Sequence, residues 1–324
     1  MPILEIGILL FSLALLSKAA EMVIGSSVRL SKFFNINRAA MGFLMVAVAT
    51  SLPELSVSIT SSLAGEGAIS AGNVFGSNIA NILLILGVGG LISGMKISSQ
   101  NLKDVALVLL LTTVISVYII YGSSVSLQAL GTLEGIALLL IFAIYVWWTL
   151  RRKKPFNGNA KVNISKKKAL RAFIAFFVGI FLVIISSAFA VGSAVAIAAD
   201  FGLAQSFIGA TMIAIGTSLP ELSTALVALR RKQYGLVLGN AVGSNMANLT
   251  LVLGLTSAIN PISVQLPVFI AALLFAVIAN TLLFYSAAVN KGIGRFGGAF
   301  YLLIYLVYLA AILGLQATEA GVVY

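Results

Sequence analysis

The 324-residue chain contains neither cysteine nor histidine. Their absence excludes disulfides, thiol nucleophiles, His–Cys zinc sites, Ser-His-Asp triads, and haem or iron–sulfur ligation by these residues. Charge is scarce too: 9% of residues are Asp, Glu, Lys or Arg, against roughly 25% in an ordinary soluble domain. So little charge cannot coat a surface that faces water. With 60% hydrophobic residues, the chain reads as an integral membrane protein. It has only nine acidic residues, so each one inside the bilayer demands a reason. The net charge of +11 fits basic loops against anionic lipid, and no nucleic-acid partner is expected.

A helix crossing ~30 Å of hydrocarbon needs about 20 apolar residues. Ten such runs are present, at about 3–28, 39–64, 68–94, 103–121, 127–149, 168–199, 206–229, 234–258, 266–288 and 296–315. The first reads as a span rather than a cleaved signal peptide, being long, without a basic start, and carrying Lys18 and Glu21. Nineteen of the 20 basic residues fall in alternate loops, Lys18 being the exception, while the intervening loops hold only Glu66 and Asp200. By the excess of Lys and Arg on cytoplasmic loops, the basic side is cytoplasmic. Both termini are then outside, in a multi-pass protein of the cell membrane. The basic loop 150–167 separates residues 1–149 from 168–324, each with five spans. Its Asn163-Ile-Ser165 matches a glycosylation sequon that a cytoplasmic loop would leave unmodified.

The two halves repeat each other. TSLPEL stands at Thr50–Leu55 and again at Thr217–Leu222, and GN..GSN.AN at Gly72–Asn81 and Gly239–Asn248, both offset by 167 residues. Residues 42–92 and 209–259 align without gaps at about 21 of 51 positions. Five spans is an odd number, so the second copy enters the membrane from the opposite side. The expected fold is all-α, with ten transmembrane helices arranged as two inverted-topology five-helix repeats and broken helices at the centre. Secondary transporters built this way hold their sites near the midplane, between repeats.

The repeated motifs carry oxygen. Glu54 and Glu221 lie mid-span, where an ionised carboxylate costs at least ~2.5–3.5 kcal/mol. No Lys or Arg occurs in 39–95, 172–229 or 233–290, so compensating charge must come from elsewhere. Pro53 and Pro220 each remove an N–H and clash with a carbonyl four residues back, at Ala49 and Gly216. Carbonyls around Ala47–Thr50 and Ala214–Thr217 can then turn toward a cavity. Thr50, Ser51 and Glu54 share a helix face. Asn73, Ser77 and Asn81 recur every four residues, as do Asn240, Ser244 and Asn248, and each set forms a polar stripe beside a GxxxG pair. Asn73, Asn78, Asn240 and Asn245 read more as interhelical glue than the rest. The donor set is hard oxygen alone, which suits calcium at six to eight ligands, or two or three sodium ions. Magnesium suits it less.

With these motifs the chain resembles the sodium/calcium exchanger family of the calcium/cation antiporter superfamily, and is similar to its compact prokaryotic and archaeal members. ATSLPE at Ala49–Glu54 and GTSLPE at Gly216–Glu221, each followed by GN..GSN..N, look like that family's two alpha repeats. The resemblance implies an antiporter, not an enzyme, that exchanges Na+ for Ca2+ by alternating access with no cofactor. It implies that Glu54 and Glu221 are shared by both ions. Thr50, Thr217, Ser51, Ser218, Ser77, Ser244, Asn81, Asn248 and the carbonyls of Ala47 and Ala214 would complete the metal ligands. It also implies that the first and sixth helices slide against the other eight. Three Na+ per Ca2+ would make exchange electrogenic, and one chain is expected to suffice as a monomer. Asn248 stands where some relatives, including potassium-dependent ones, have Asp, which argues against potassium dependence. The short 150–167 loop leaves no room for the regulatory domain of animal exchangers. A proton/calcium exchanger could use the same glutamates, but proton-coupled relatives carry Glu after the GN, where this chain has Phe75 and Gly76 after Asn73-Val74. A passive channel fits broken inverted repeats less well. Lys18, Glu21 and Glu134 are read as pairing or interfacial groups outside the site, and the aromatics, Trp147 and Trp148 among them, as lipid-facing packing.

Overall fold

The computed structural model describes residues 2–36, 38–65, 67–97, 102–125, 130–151, 164–200, 214–262 and 266–319. The helices are α1 (Pro2–Phe33), α2 (Arg38–Thr50), α3 (Leu52–Leu63), α4 (Gly67–Ile79, continuing to Ser93), α5 (Leu102–Val125) and α6 (Thr132–Arg151). After the linker come α7 (Lys166–Asp200), α8 (Ala214–Thr217), α9 (Leu219–Arg230), α10 (Tyr234–Ala247, continuing to Ile259), α11 (Leu266–Ala288) and α12 (Arg295–Glu319). Among the described residues eight are long and apolar enough to cross a membrane, and a ninth span results if α2 and α3 count as one broken helix. The expected span at 206–229 is described only from Ala214 onward, and linker residues 152–163, Asn163 included, lie outside the described residues. α1 and α7 run longer than hydropathy predicts, because polar and basic residues extend each helix past its apolar run.

Two helices are far more buried than the others. In α10, 94% of the apolar window is buried, and in α4, 72%, against 17% in α6 and 22% in α12. These are the helices that carry the GN..GSN.AN motif. An amide-bearing stripe cannot face lipid without unsatisfied polar groups, so the motif itself forces them inward.

Among the described residues three π-helical stretches interrupt the spans, at Gly42–Ala47 in α2, Ala80–Leu86 in α4 and Asn248–Val252 in α10. The latter two cover equivalent positions of the repeat. Such stretches collect at functional sites because the wider turn re-aims side chains.

The chain forms two compact units that interleave the sequence halves. One comprises residues 1–51 and 148–243, the other 52–147 and 244–324. In the first, α1 packs along α7 and also touches α9. The contact is close because Gly179 has no side chain: a Cβ there would lie 2.9 Å from Val23 Cγ2. α2 crosses the first part of α10 at Gly42, Gly239 and Gly243, with backbone against backbone. In the second unit α5 packs on α11, and the end of α4 packs on α12. Gly90 and Gly298 meet where α4 crosses α12, and Gly135 of α6 meets α10 at Gly254. Strands β1 (Met95–Lys96) and β2 (Gly292–Ile293) pair antiparallel at one end of this unit. A bridge between Leu130 and Ile262 ties two further loops.

Candidate cation-binding site

Each unit contains one of the two mid-span glutamates, and both side chains are fully buried. The helix breaks that present them are local products of the Ser-Leu-Pro-Glu sequence. At Ser51 the backbone leaves the helical region (φ −82°, ψ 8°) between α2 and α3. At Ser218 the dihedrals are nearly the same (φ −87°, ψ 2°), and Pro220 sits in the first turn of α9, where its missing N–H costs nothing. Glu54 and Glu221 thereby lie in the first turns of α3 and α9, where the unsatisfied N–H groups and helix dipole favour negative charge.

In the first unit the Ser51 hydroxyl donates to Glu221 Oε1 at 3.2 Å. One copy of the repeat thus supplies the hydroxyl and the other the carboxylate. The Ser51 N–H donates to the Ala47 carbonyl at 2.9 Å. The Thr50 hydroxyl donates to Val46 O at 3.0 Å, with Ala47 O at 3.3 Å and Asn240 Oδ1 at 3.4 Å. Thr217 and Ser218 are buried in the same unit, and Ala214 opens α8. Expected glue residue Asn240 therefore touches an expected ligand.

In the second unit the Ser77 hydroxyl donates to Glu54 Oε1 at 3.3 Å. Asn73 Nδ2 donates to the Glu54 carbonyl at 3.1 Å and to Ser58 Oγ at 2.9 Å, clamping α4 against α3. Ser62 extends that seam to α10, donating to Thr256 O at 2.8 Å and accepting from Asn260 Nδ2 at 3.1 Å through its carbonyl. One turn beyond Ser77, Asn81 Nδ2 donates to Asn245 Oδ1 at 3.0 Å. Asn248 Nδ2 donates to Asn78 Oδ1 at 3.1 Å. Ser244 is fully buried beside them in sequence. The sequence stripe therefore divides by role: Asn73 joins helices, Ser77 meets the carboxylate, and Asn81 and Asn248 are held by amides. Asn78 and Asn245, expected to lean more toward joining helices than Asn81 and Asn248, bond to those two amides. Their recurrence in GSN.AN was the available signal for more.

Among the described residues no three acidic side chains gather, so a multi-carboxylate metal cage is absent. Three other acids have partners of their own. Lys18 and Glu21 pair at 3.6 Å in the body of α1, largely exposed. Glu134 accepts from Tyr118 at 2.6 Å and from the Gly131 N–H at 3.0 Å, a cap on α6. Asp104 accepts from Tyr145 at 3.1 Å.

Comparison with known proteins gives one consistent likeness. A profile of the family described as "Sodium/calcium exchanger protein" matches residues 4–151 and 171–314. An uncharacterised membrane protein of Methanocaldococcus jannaschii is 32% identical over 316 residues, spanning 96% of this chain and 99% of the other. The sodium/calcium exchanger MaX1 of Methanosarcina acetivorans is 28% identical over 344 residues, 94% and 97% of the two chains. Among solved structures, the sodium-calcium exchanger NCX_Mj, soaked with 10 mM Na+ and zero Ca2+, superposes with a TM-score of 0.84 at 29% identity, covering 96% of this chain and 100% of that one.

Proposed function

For a chain that belongs to the sodium/calcium exchanger family, an all-α membrane protein and a secondary transporter rather than an enzyme, we propose that sodium is exchanged for calcium at a site built on Glu54 and Glu221. One observation carries this reading: in each unit a fully buried mid-span carboxylate is met by a serine hydroxyl from a repeated motif, in a chain with no basic residue in those spans. Two carboxylates held out of water call for positive charge. The surroundings offer only oxygen, so the charge is a hard cation.

In this reading both glutamates contribute to every loaded state. Calcium binds the pair as a divalent ion and leaves the site neutral. Three sodium ions leave it at +1. Ser51, Ser77, Ser218, Ser244, Thr50, Thr217, Asn81 and Asn248 supply neutral oxygens, with carbonyls such as those of Ala47 and Ala214. The Ala47 carbonyl already accepts the Ser51 N–H and lies 3.3 Å from the Thr50 hydroxyl, so Thr50 would have to keep to its Val46 bond for the second lone pair to reach an ion. Buried serines and asparagines lower the cost of ion dehydration without adding charge that would hold the ion too tightly to leave. The basic loops face the cytoplasm of the cell membrane, both termini lie outside, and one chain suffices.

Calcium-45 uptake into proteoliposomes tests the coupling. The protein is reconstituted into vesicles loaded with sodium, potassium or choline, or bearing a proton gradient. Uptake only with sodium inside supports the reading. Uptake driven by protons would transfer the same glutamates to a proton/calcium exchanger. Uptake with no gradient requirement would mean a channel. A voltage dependence near 2.3 kcal/mol per 100 mV for each net charge moved is expected of three-for-one exchange, and flux indifferent to a clamped potential would contradict that stoichiometry.

A further inference from the structure

Four asparagines from α4 and α10 close a hydrogen-bonded group within the second unit. Asn81 Nδ2 donates to Asn245 Oδ1 at 3.0 Å, and Asn248 Nδ2 donates to Asn78 Oδ1 at 3.1 Å. Asn81 and Asn248 are mates at the 167-residue offset, as are Asn78 and Asn245, so the two bonds are equivalents under the repeat. Asn245 Nδ2 donates in turn to the Asn78 carbonyl at 3.2 Å, which fixes the orientation of Asn245 itself. All four side chains are at most 1% exposed. The oxygens Oδ1 of Asn81 and of Asn248 are buried and accept no hydrogen bond among the described residues.

A primary amide has nearly the same shape either way round, but one end is an acceptor oxygen and the other a pair of donors. Its last torsion is broad and roughly two-fold, so packing alone selects an orientation weakly. Toward a cation the choice is decisive: oxygen coordinates and NH2 repels. Reversing Asn81 here would set its oxygen against Asn245 Oδ1 and leave a buried NH2 without that acceptor. Buried polar groups left unmatched are expensive in a dry interior. The π-helical stretches begin at Ala80 and Asn248, so the wider turns aim these same side chains.

We propose that Asn78 and Asn245 are positioning residues that hold Asn248 and Asn81 with their amide oxygens toward the transported cation. The inference rests on the proposed role of Asn81 and Asn248 as cation ligands. It adds a specific role to two residues that would otherwise only join helices. It also explains why an amide can serve at these positions: a carboxylate presents oxygen at both ends and needs no orienting partner, whereas an amide does.

That difference is the test. Calcium-45 uptake is measured in sodium-loaded proteoliposomes for wild type, Asn81→Ala, Asn245→Ala, Asn81→Asp and the double variant Asn81→Asp/Asn245→Ala, each checked for monodispersity. Asn245→Ala is expected to raise the calcium KM about tenfold, the effect of one lost buried hydrogen bond, with maximal rate held. In the Asn81→Asp background the same substitution is expected to leave KM unchanged or to lower it, because orientation no longer matters and a carboxylate oxygen no longer faces Asn245 Oδ1. An equal rise in both backgrounds, or no rise in either, overturns the proposal. A KM unmoved by Asn81→Ala contradicts the ligand assignment beneath it and removes the proposal as well, while a rise with Asn81→Ala beside no effect of Asn245→Ala isolates the failure to the positioning role. If Asn245→Ala does not fold, the repeat-related set Asn248→Asp, Asn78→Ala and their combination carries the same comparison with the same two outcomes.

Discussion

Ser77 donates its hydroxyl to Glu54 Oε1 at 3.3 Å, and the equivalent chemistry in the other unit joins Ser51 to Glu221 Oε1 at 3.2 Å. The two bonds are not mates under the repeat, since Ser51 belongs to the TSLPEL motif and Ser77 to GSN.AN. Between them they nevertheless give each buried carboxylate a hydroxyl neighbour from a different helix. A carboxylate oxygen bonded in this way is fixed in direction, and the serine oxygen keeps lone pairs for an ion.

Ser51→Ala and Ser77→Ala should therefore weaken cation binding without abolishing it. A hydrogen bond to a charged group contributes about 1.5–3 kcal/mol, which corresponds to roughly a tenfold to hundredfold rise in the calcium KM. Concentration dependence of calcium-45 uptake measures it. An unchanged KM in both variants would remove these hydroxyls from the site.

Asn73 acts on the fold more than on the ion. Its Nδ2 bonds to the Glu54 carbonyl and to Ser58 Oγ. Interhelical hydrogen bonds in membranes contribute on average about 0.6 kcal/mol and at most about 1.7. Asn73→Ala should destabilise the protein by about 1–2 kcal/mol, seen as a lower melting temperature in detergent. Ser58→Ala, which removes one acceptor, should cost less. A larger loss for Ser58→Ala than for Asn73→Ala would contradict the clamp.

The crossing of α2 and α10 depends on glycine. A Cβ on Gly239 would fall on the Ala39 carbonyl, and one on Gly42 would lie 2.7 Å from the Leu236 carbonyl. Gly72, the repeat mate of Gly239, has no described atom within 4 Å of that position. Gly239→Ala should cost about 1–3 kcal/mol through overpacking, while Gly72→Ala leaves the melting temperature close to wild type. Equal tolerance of both, by thermal unfolding, would contradict the close approach.

Much of this was legible in the sequence. The repeat offset, the paired glutamates, the prolines that break the helices and the all-α membrane fold follow from periodicity and from the cost of charge in hydrocarbon. The depth of α4 and α10 follows from their amide stripe. Other features were not legible, for physical reasons. Hydropathy cannot tell a π-helical turn from an α-helical one, since Ala80–Leu86 is as apolar either way. Which amide partners which depends on helix rotation, so the sequence pattern alone does not pair Asn78 with Asn248 or Asn245 with Asn81. The compact units divide at three places: between Ser51 and Leu52 inside the TSLPEL motif, between Trp147 and Trp148 just before the basic linker, and between Gly243 and Ser244 inside the second GSN.AN motif. Linkers are marked by composition, whereas compactness follows contacts between residues far apart in the chain.

The most direct measurement compares sodium-driven calcium-45 uptake by wild type, Glu54→Gln and Glu221→Gln in vesicles of matched protein content. Glutamine keeps size and hydrogen bonding but removes the charge that a divalent ion requires. The account predicts uptake by wild type that needs the sodium gradient, and none by either variant although both remain folded and monodisperse. Uptake at the wild-type rate by either variant would contradict the account at its centre.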